Sequence, residues 1–269
     1  MSTPAWTYST PPASPRAPEV VLLAFSRGPL RDDVPLSASR FGAPDAASLG
    51  ALELHAIPRA VEPRWFDAWR DGSLRAIAEG DLGAALRDLD AADHVHLVRA
   101  SPGAPADLGY LQASWAMVRH LAARGATVVL DAHAATYRPT AAIPPAGAAL
   151  DVRTEIRVVF ETEARRNDRA HALHTRGLRK FGAPDLIALC GDADAALVGE
   201  VVGQLADAVA RGLELAPRHA VELDASTTWY VVDDADGLGA MLQLGNAARV
   251  LVDAVGRHLV GVRAGARVN

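Results

Sequence analysis

The order of apolar runs along the chain predicts an α+β sandwich, a mixed and largely antiparallel sheet packed with helices. Three observations carry that reading. Short β-branched or alternating segments recur between longer segments of helical period. The segment VRTEIRV at 152–158 alternates apolar and charged residues, as a strand with one wet face does. Half of the 269 residues are apolar, ample material for buried layers. Both halves contain the word FGAPD, at 41–45 and 181–185, so two halves related by duplication are one arrangement that these elements allow. An open parallel sheet is the alternative.

Taken in order, residues 1–18 carry five prolines among Ser, Thr and Ala and are expected to form a flexible leader. A first α/β half, 19–135, opens with VVLLAF at 20–25, a buried strand closed by Gly28-Pro29. ALELHAI at 51–57 alternates as a half-buried strand and stops at Pro58. In 62–93, Pro63 suits a first helical turn, Trp65, Phe66 and Trp69 have helical spacing, and Gly72 and Gly80 are expected to break the run. HVHLVRA at 94–100 returns to strand. Asp107 caps a helix whose stripe is Leu108, Leu111, Trp115, Val118 and Leu121, closed by Gly125, and ATVVLDA at 126–132 follows as strand. If the two strands are parallel, this helix crosses over right-handedly.

The proline-rich segment 136–150 reads as a linker, and 151–269 as a second α/β half carrying the second FGAPD. There LIALC at 186–190 is a buried strand. Asp192 or Asp194 caps a helix with Leu197, Val198, Val201, Val202, Leu205, Val209 and Leu213 on one side, ended by Pro217. TTWYVVDD at 227–234 is strand. The run 249–264 fits two strands joined at Val255-Gly256, and a helix over 247–255 fits nearly as well.

Composition excludes several function classes. A formal charge of -5 and pI near 6 give no global attraction to nucleic acid or anionic lipid. A single cysteine, Cys190, makes neither an internal disulfide nor a thiolate zinc site and suits a reducing compartment. No basic start precedes an apolar run, and no stretch reaches the ~18 apolar residues of a bilayer span, so a cytoplasmic, soluble protein is expected. The bias to arginine and alanine suggests a GC-rich, bacterial genome. No nucleophile elbow, phosphate loop or dinucleotide fingerprint appears, and no cofactor is expected.

The second FGAPD holds the richest chemistry. Glycine permits a positive φ at Gly182, Pro184 fixes the next bend, Asp185 can accept backbone N–H groups, and Phe181 anchors the corner. Upstream, Arg165, Arg166, Arg169, Arg176, Arg179 and Lys180, the only lysine, lie close in sequence with His171 and His174. Arg169, His174, Arg176, Arg179 and Lys180 are therefore the candidate ligands for a carboxylate or phosphate, with a solvated, charge-balanced face as the plainer alternative. His94 and His96, with Asp131 and His133, are a weaker set for a divalent ion, and no metal is favoured. Cys190 reads as a buried small hydrophobe, and Trp65, Trp69 and Trp115 as core.

The run Thr175, Gly177, Leu178, Phe181, Gly182, Pro184 and Asp185 resembles the T-x-G-[LM]-x-x-F-G-x-P-[DE] signature of a bacterial family known only as a domain of unknown function. The resemblance covers about 52–215 and implies a cytosolic α/β protein without transferable catalytic residues. The arginine-rich run before the motif and the region past 217 depart from that pattern. Together these features lead to the expectation of a non-enzymatic protein that binds a protein partner or forms a homo-oligomer, with no nucleic acid or membrane partner. An anion-binding protein or enzyme built on the 165–180 cluster is the alternative, and a metal-dependent hydrolase the second.

Overall fold

A computed structural model describes residues 5–10, 12, 17–31, 33–161, 171–223 and 227–259. The fold is α+β, with two mostly antiparallel sheets in two compact units. Unit 1 comprises residues 1–8 and 15–150, unit 2 residues 9–14 and 151–269.

In unit 1 the chain runs β1 (Val20–Ser26), α1 (Ala38–Phe41), α2 (Ala46–Gly50), β2 (Glu53–Pro58), α3 (Pro63–Ala68), α4 (Gly72–Leu82), α5 (Leu86–Asp90), β3 (His94–Ala100), α6 (Gly109–Arg124), β4 (Val128–Asp131) and β5 (Thr136–Pro139). The sheet order is β2-β3-β1-β4-β5, and every neighbouring pair is antiparallel. β1 lies between β3 and β4, so the strands joined by α6 are parallel to each other but not adjacent. Alternation gives the sheet two buried faces. Leu23, Phe25, Val95, Val128 and Leu130 pack with Phe66, Ala78, Leu82 and Leu89 from α3, α4 and α5. Leu22, Ala24 and Val98 are left for α6, which contacts β1 and β3. The expected stripe of α6 is wholly buried, and so are Gln112, Ser114 and Met117, because α1 and α2 also pack on this helix.

Several expectations change here. Within the segment expected as a flexible leader, Trp6 and Tyr8 are both buried. The Trp6 N–H donates to Gln112 Oε1 at 2.9 Å, and the Leu108 N–H donates to the Trp6 carbonyl at 2.8 Å. Gly80 lies inside α4, and the break comes at Gly83, whose φ of +50° closes that helix. β2 is an edge strand with most of its residues exposed, not half-buried. The segment expected as a linker contributes β5, which pairs with β4 and buries Tyr137.

Unit 2 runs α7 (Val152–Glu155), β6 (Arg157–Glu161), β7 (His171–Arg176), a 3-10 turn (Leu178–Phe181), β8 (Asp185–Cys190), α8 (Ala195–Ala210), β9 (His219–Glu222), β10 (Thr228–Asp233), α9 (Leu238–Met241) and β11 (Ala248–Val252). The order is β6-β7-β8-β11-β10-β9, antiparallel except for the parallel pair β8 and β11. Leu173 meets α8 near Gly199, whereas Ala172, Ile187, Leu189, Val250 and Val252 pack with Leu238 and Leu244 around α9. α8 and α9 thus cover opposite faces. α8 stops at Ala210, well before Pro217, and Gly212 follows with φ +116°. A Cβ there would meet the Thr10 carbonyl oxygen at 1.7 Å, so the close approach of that segment requires glycine. Residues 248–252 are strand, not helix, and Leu259 bridges to Cys190. The two sheets differ in strand number and order, so FGAPD marks a shared local bend in unlike topologies.

Candidate functional site

The corner between β7 and β8 collects most of the sequence motif. The 3-10 turn ends on buried Phe181, Gly182 takes φ +67°, and the chain re-enters the sheet at Asp185. Gly177 is also left-handed, at φ +112°. Asp185 is buried and fully engaged. Thr175 Oγ1 donates to its Oδ1 at 2.9 Å, the Leu178 N–H donates to the same oxygen at 3.3 Å, and Asn246 Nδ2 donates to Oδ2 at 2.8 Å. Thr175 Oγ1 in turn accepts the Leu186 N–H at 2.8 Å. Burial pushes the Asp185 carboxyl up to about 6, against the opposing pull of Asn246, Thr175, the Leu178 amide and the Arg176 charge. This network closes the corner, and its groups are spent on each other.

The structure does not bring the candidate cations together. Lys180 is wholly buried, its Nζ 2.5 Å from Oε2 of equally buried Glu155 on α7. Arg176 donates to the carbonyls of Leu242 and Gln243, at 3.1 and 3.4 Å, just past α9. Lys180 therefore serves α7, which packs on α8, and Arg176 serves the α9 face. Desolvation lowers the Arg176 pKa. Arg179 is half-buried and also engaged. His174 is wholly buried, with Nδ1 3.3 Å from the Thr175 carbonyl and Nε2 3.5 Å from Glu161 Oε1, and burial lowers its pKa. Arg165, Arg166 and Arg169 lie outside the described residues.

The weaker metal set is likewise dispersed. His96 lies opposite Ala24 and Asp131 opposite Leu22, on strands flanking β1, so their Cα atoms are roughly 12 Å apart. His94 Nδ1 is 2.5 Å from Asp93 and His133 Nε2 3.8 Å from Glu19, while Asp131 Oδ1 accepts the Ala134 N–H. His96 Nε2 is 3.2 Å from Ser26 Oγ, and burial pushes this imidazole down to about 4. Among the described residues no three His, Cys, Asp or Glu side chains converge to hold a metal. Cys190 is opposite His171 in the β7/β8 register, and His171 Nε2 is 2.5 Å from Asp192 Oδ1. The arrangement looks like a nucleophile with its base, but Cys190 has no exposure and burial pushes its thiol up to about 11.

What sequence reasoning missed is the flank of unit 2. β6 is an edge strand, paired only with β7 among the described residues, and it exposes Val158 and Phe160, at 38% and 40%, on its α8-facing side. Beside it a groove of about 490 Å³ runs between Val152, Ile156 and Val158 on one wall and Gly199, Gly203 and Ala206 of α8 on the other, with Arg153, Glu200, Gln204 and Asp207 also lining it. The two glycines, one helical turn apart, leave no side chain to fill it. Their spacing was the available signal. Comparison of the chain with known protein families, with curated proteins and with solved structures finds no match.

Proposed function

We propose that this protein acts by binding another polypeptide through the β6 edge and the groove beside α8, and catalyses no reaction. The observation that carries this reading is the pair Val158 and Phe160, exposed side by side on a strand edge that is unpaired among the described residues and continuous with the groove. An edge strand offers a row of backbone donors and acceptors, and flanking apolar side chains add area and specificity. An anion site on the 165–180 cluster draws no support from its described members, because Arg176, Arg179, His174 and Lys180 are engaged within the fold. A photo-crosslinking residue in place of Phe160 tests the proposal in the cells that make the protein. A covalent adduct to a polypeptide, lost when the label is moved to exposed Leu54 on β2, is expected. Labelling of solvent only, or equally from both positions, overturns it.

A further inference from the structure

The sequence of β6, Arg157-Val158-Val159-Phe160-Glu161, is complementary to itself in one arrangement. We propose that two copies of this chain pair their β6 strands antiparallel about a two-fold axis at Val159, joining two six-stranded sheets edge to edge. This rests on the reading of β6 as a binding surface and names its occupant. In that register Arg157 of one copy lies opposite Glu161 of the other, and Val158 opposite Phe160, each pair occurring twice by symmetry. Both apolar pairs lie on the α8 side, so the four exposed side chains merge into one patch between the two grooves. Parallel pairing in register would set Arg157 against Arg157, and an antiparallel slip by two residues would lose both charge pairs.

The interior of the sheet supplies an independent reason. Arg157 sits directly opposite Arg176 in the β6/β7 register, an arrangement that like charges disfavour, and the Asp185 carboxylate acts on Arg176 from the β8 side. Docking the second copy places a carboxylate on the outer side of Arg157. β6 has neither lysine nor proline among its five residues, and its two charges, Arg157 and Glu161, are of opposite sign.

The full-length chain at about 100 µM, a concentration that saturates a micromolar dimer, should sediment at twice its 28.2 kDa. Arg157→Glu or Glu161→Arg alone sets like charges across both symmetric contacts and should weaken the dimer about tenfold or more. The double variant R157E/E161R restores complementarity and should recover dimerisation, with unchanged circular dichroism as the check on folding. A wild-type monomer at that concentration, single variants that dimerise as wild type does, or a folded double variant that stays monomeric would each overturn the proposal. A monomeric chain that still crosslinks to a different polypeptide from position 160 would end the dimer and leave the binding function standing.

Discussion

Replacing Lys180 with methionine removes the ammonium and keeps the length of an apolar side chain, leaving Glu155 with a charge and no cation. Both residues are essentially without exposure, at 0% and 1%, and their contact is 2.5 Å. A buried ion pair gains little over an apolar pair of the same shape, because desolvation of two charges offsets their attraction. Breaking it from one side is different, since the surviving charge has neither water nor partner. The expected cost of Lys180→Met is therefore about 3–5 kcal/mol. For a unit of this size that is a fall in Tm on the order of 10–20 °C. The double variant K180M/E155L should regain most of the loss, so that the two positions show strong coupling in a double-mutant cycle followed by urea unfolding. A single variant that costs under about 1 kcal/mol, or a double variant no better than Lys180→Met alone, would refute the claim that the pair is dry and mutually dependent.

Two further outcomes follow from buried titratable groups. Asp185 has a folded-state pKa raised to about 6 from 3.8, so the native state holds its proton more tightly than the unfolded chain. Stability should therefore fall as pH rises from about 4 to 6, by about 3 kcal/mol in all. Asp185→Asn should flatten that segment of the pH–stability curve even though it weakens the corner at every pH, and an unchanged slope would contradict the assignment. The Cys190 thiol, buried and raised to about 11, should react with an aromatic disulfide reagent only as fast as unit 2 opens. One equivalent consumed within seconds under native conditions would show that the thiol is accessible after all.

Most strands were legible in the sequence because burial leaves a local signature. VVLLAF, HVHLVRA, ATVVLDA, LIALC and TTWYVVDD each lie in or against β1, β3, β4, β8 and β10. VRTEIRV was misread as one strand, since 152–155 form the helical turn α7 and β6 begins at Arg157; the other failures were features that depend on partners distant in sequence. β5 lies in a proline-rich stretch and is a strand because β4 offers it a ladder. Trp6 sits among prolines and is fixed by α6, roughly a hundred residues later. The cation cluster failed for a geometric reason: strand alternation sends His174 and Arg176 to one face, and the following 3-10 turn carries Lys180 toward the other. Sequence proximity says nothing about face once the chain turns, and Glu155, the partner that fixes the ammonium, is 25 residues upstream.

The two FGAPD words separate what five residues decide alone from what their surroundings decide. In both, a short helical turn ends on a buried Phe, Phe41 or Phe181, and the following glycine is left-handed, at φ +78° and +67°. That much is local sterics, and any chain carrying the word can adopt it. The aspartates then diverge. Asp45 is exposed, caps α2 by accepting the Ser48 N–H, and has its pKa lowered by that bond. Asp185 is sealed beneath Thr175 and Asn246, and burial outweighs the same kind of bonding, so its pKa rises. Asp45 stabilises its helix end once ionised, above the carboxylate range, while Asp185 favours folding most when protonated, below it. One word thus yields one bend and two opposite pH dependences, and the difference lies in burial, which seals Asp185 and leaves Asp45 exposed. The motif's outlying threonine, which donates to Asp185, is as much a part of the corner as the pentapeptide.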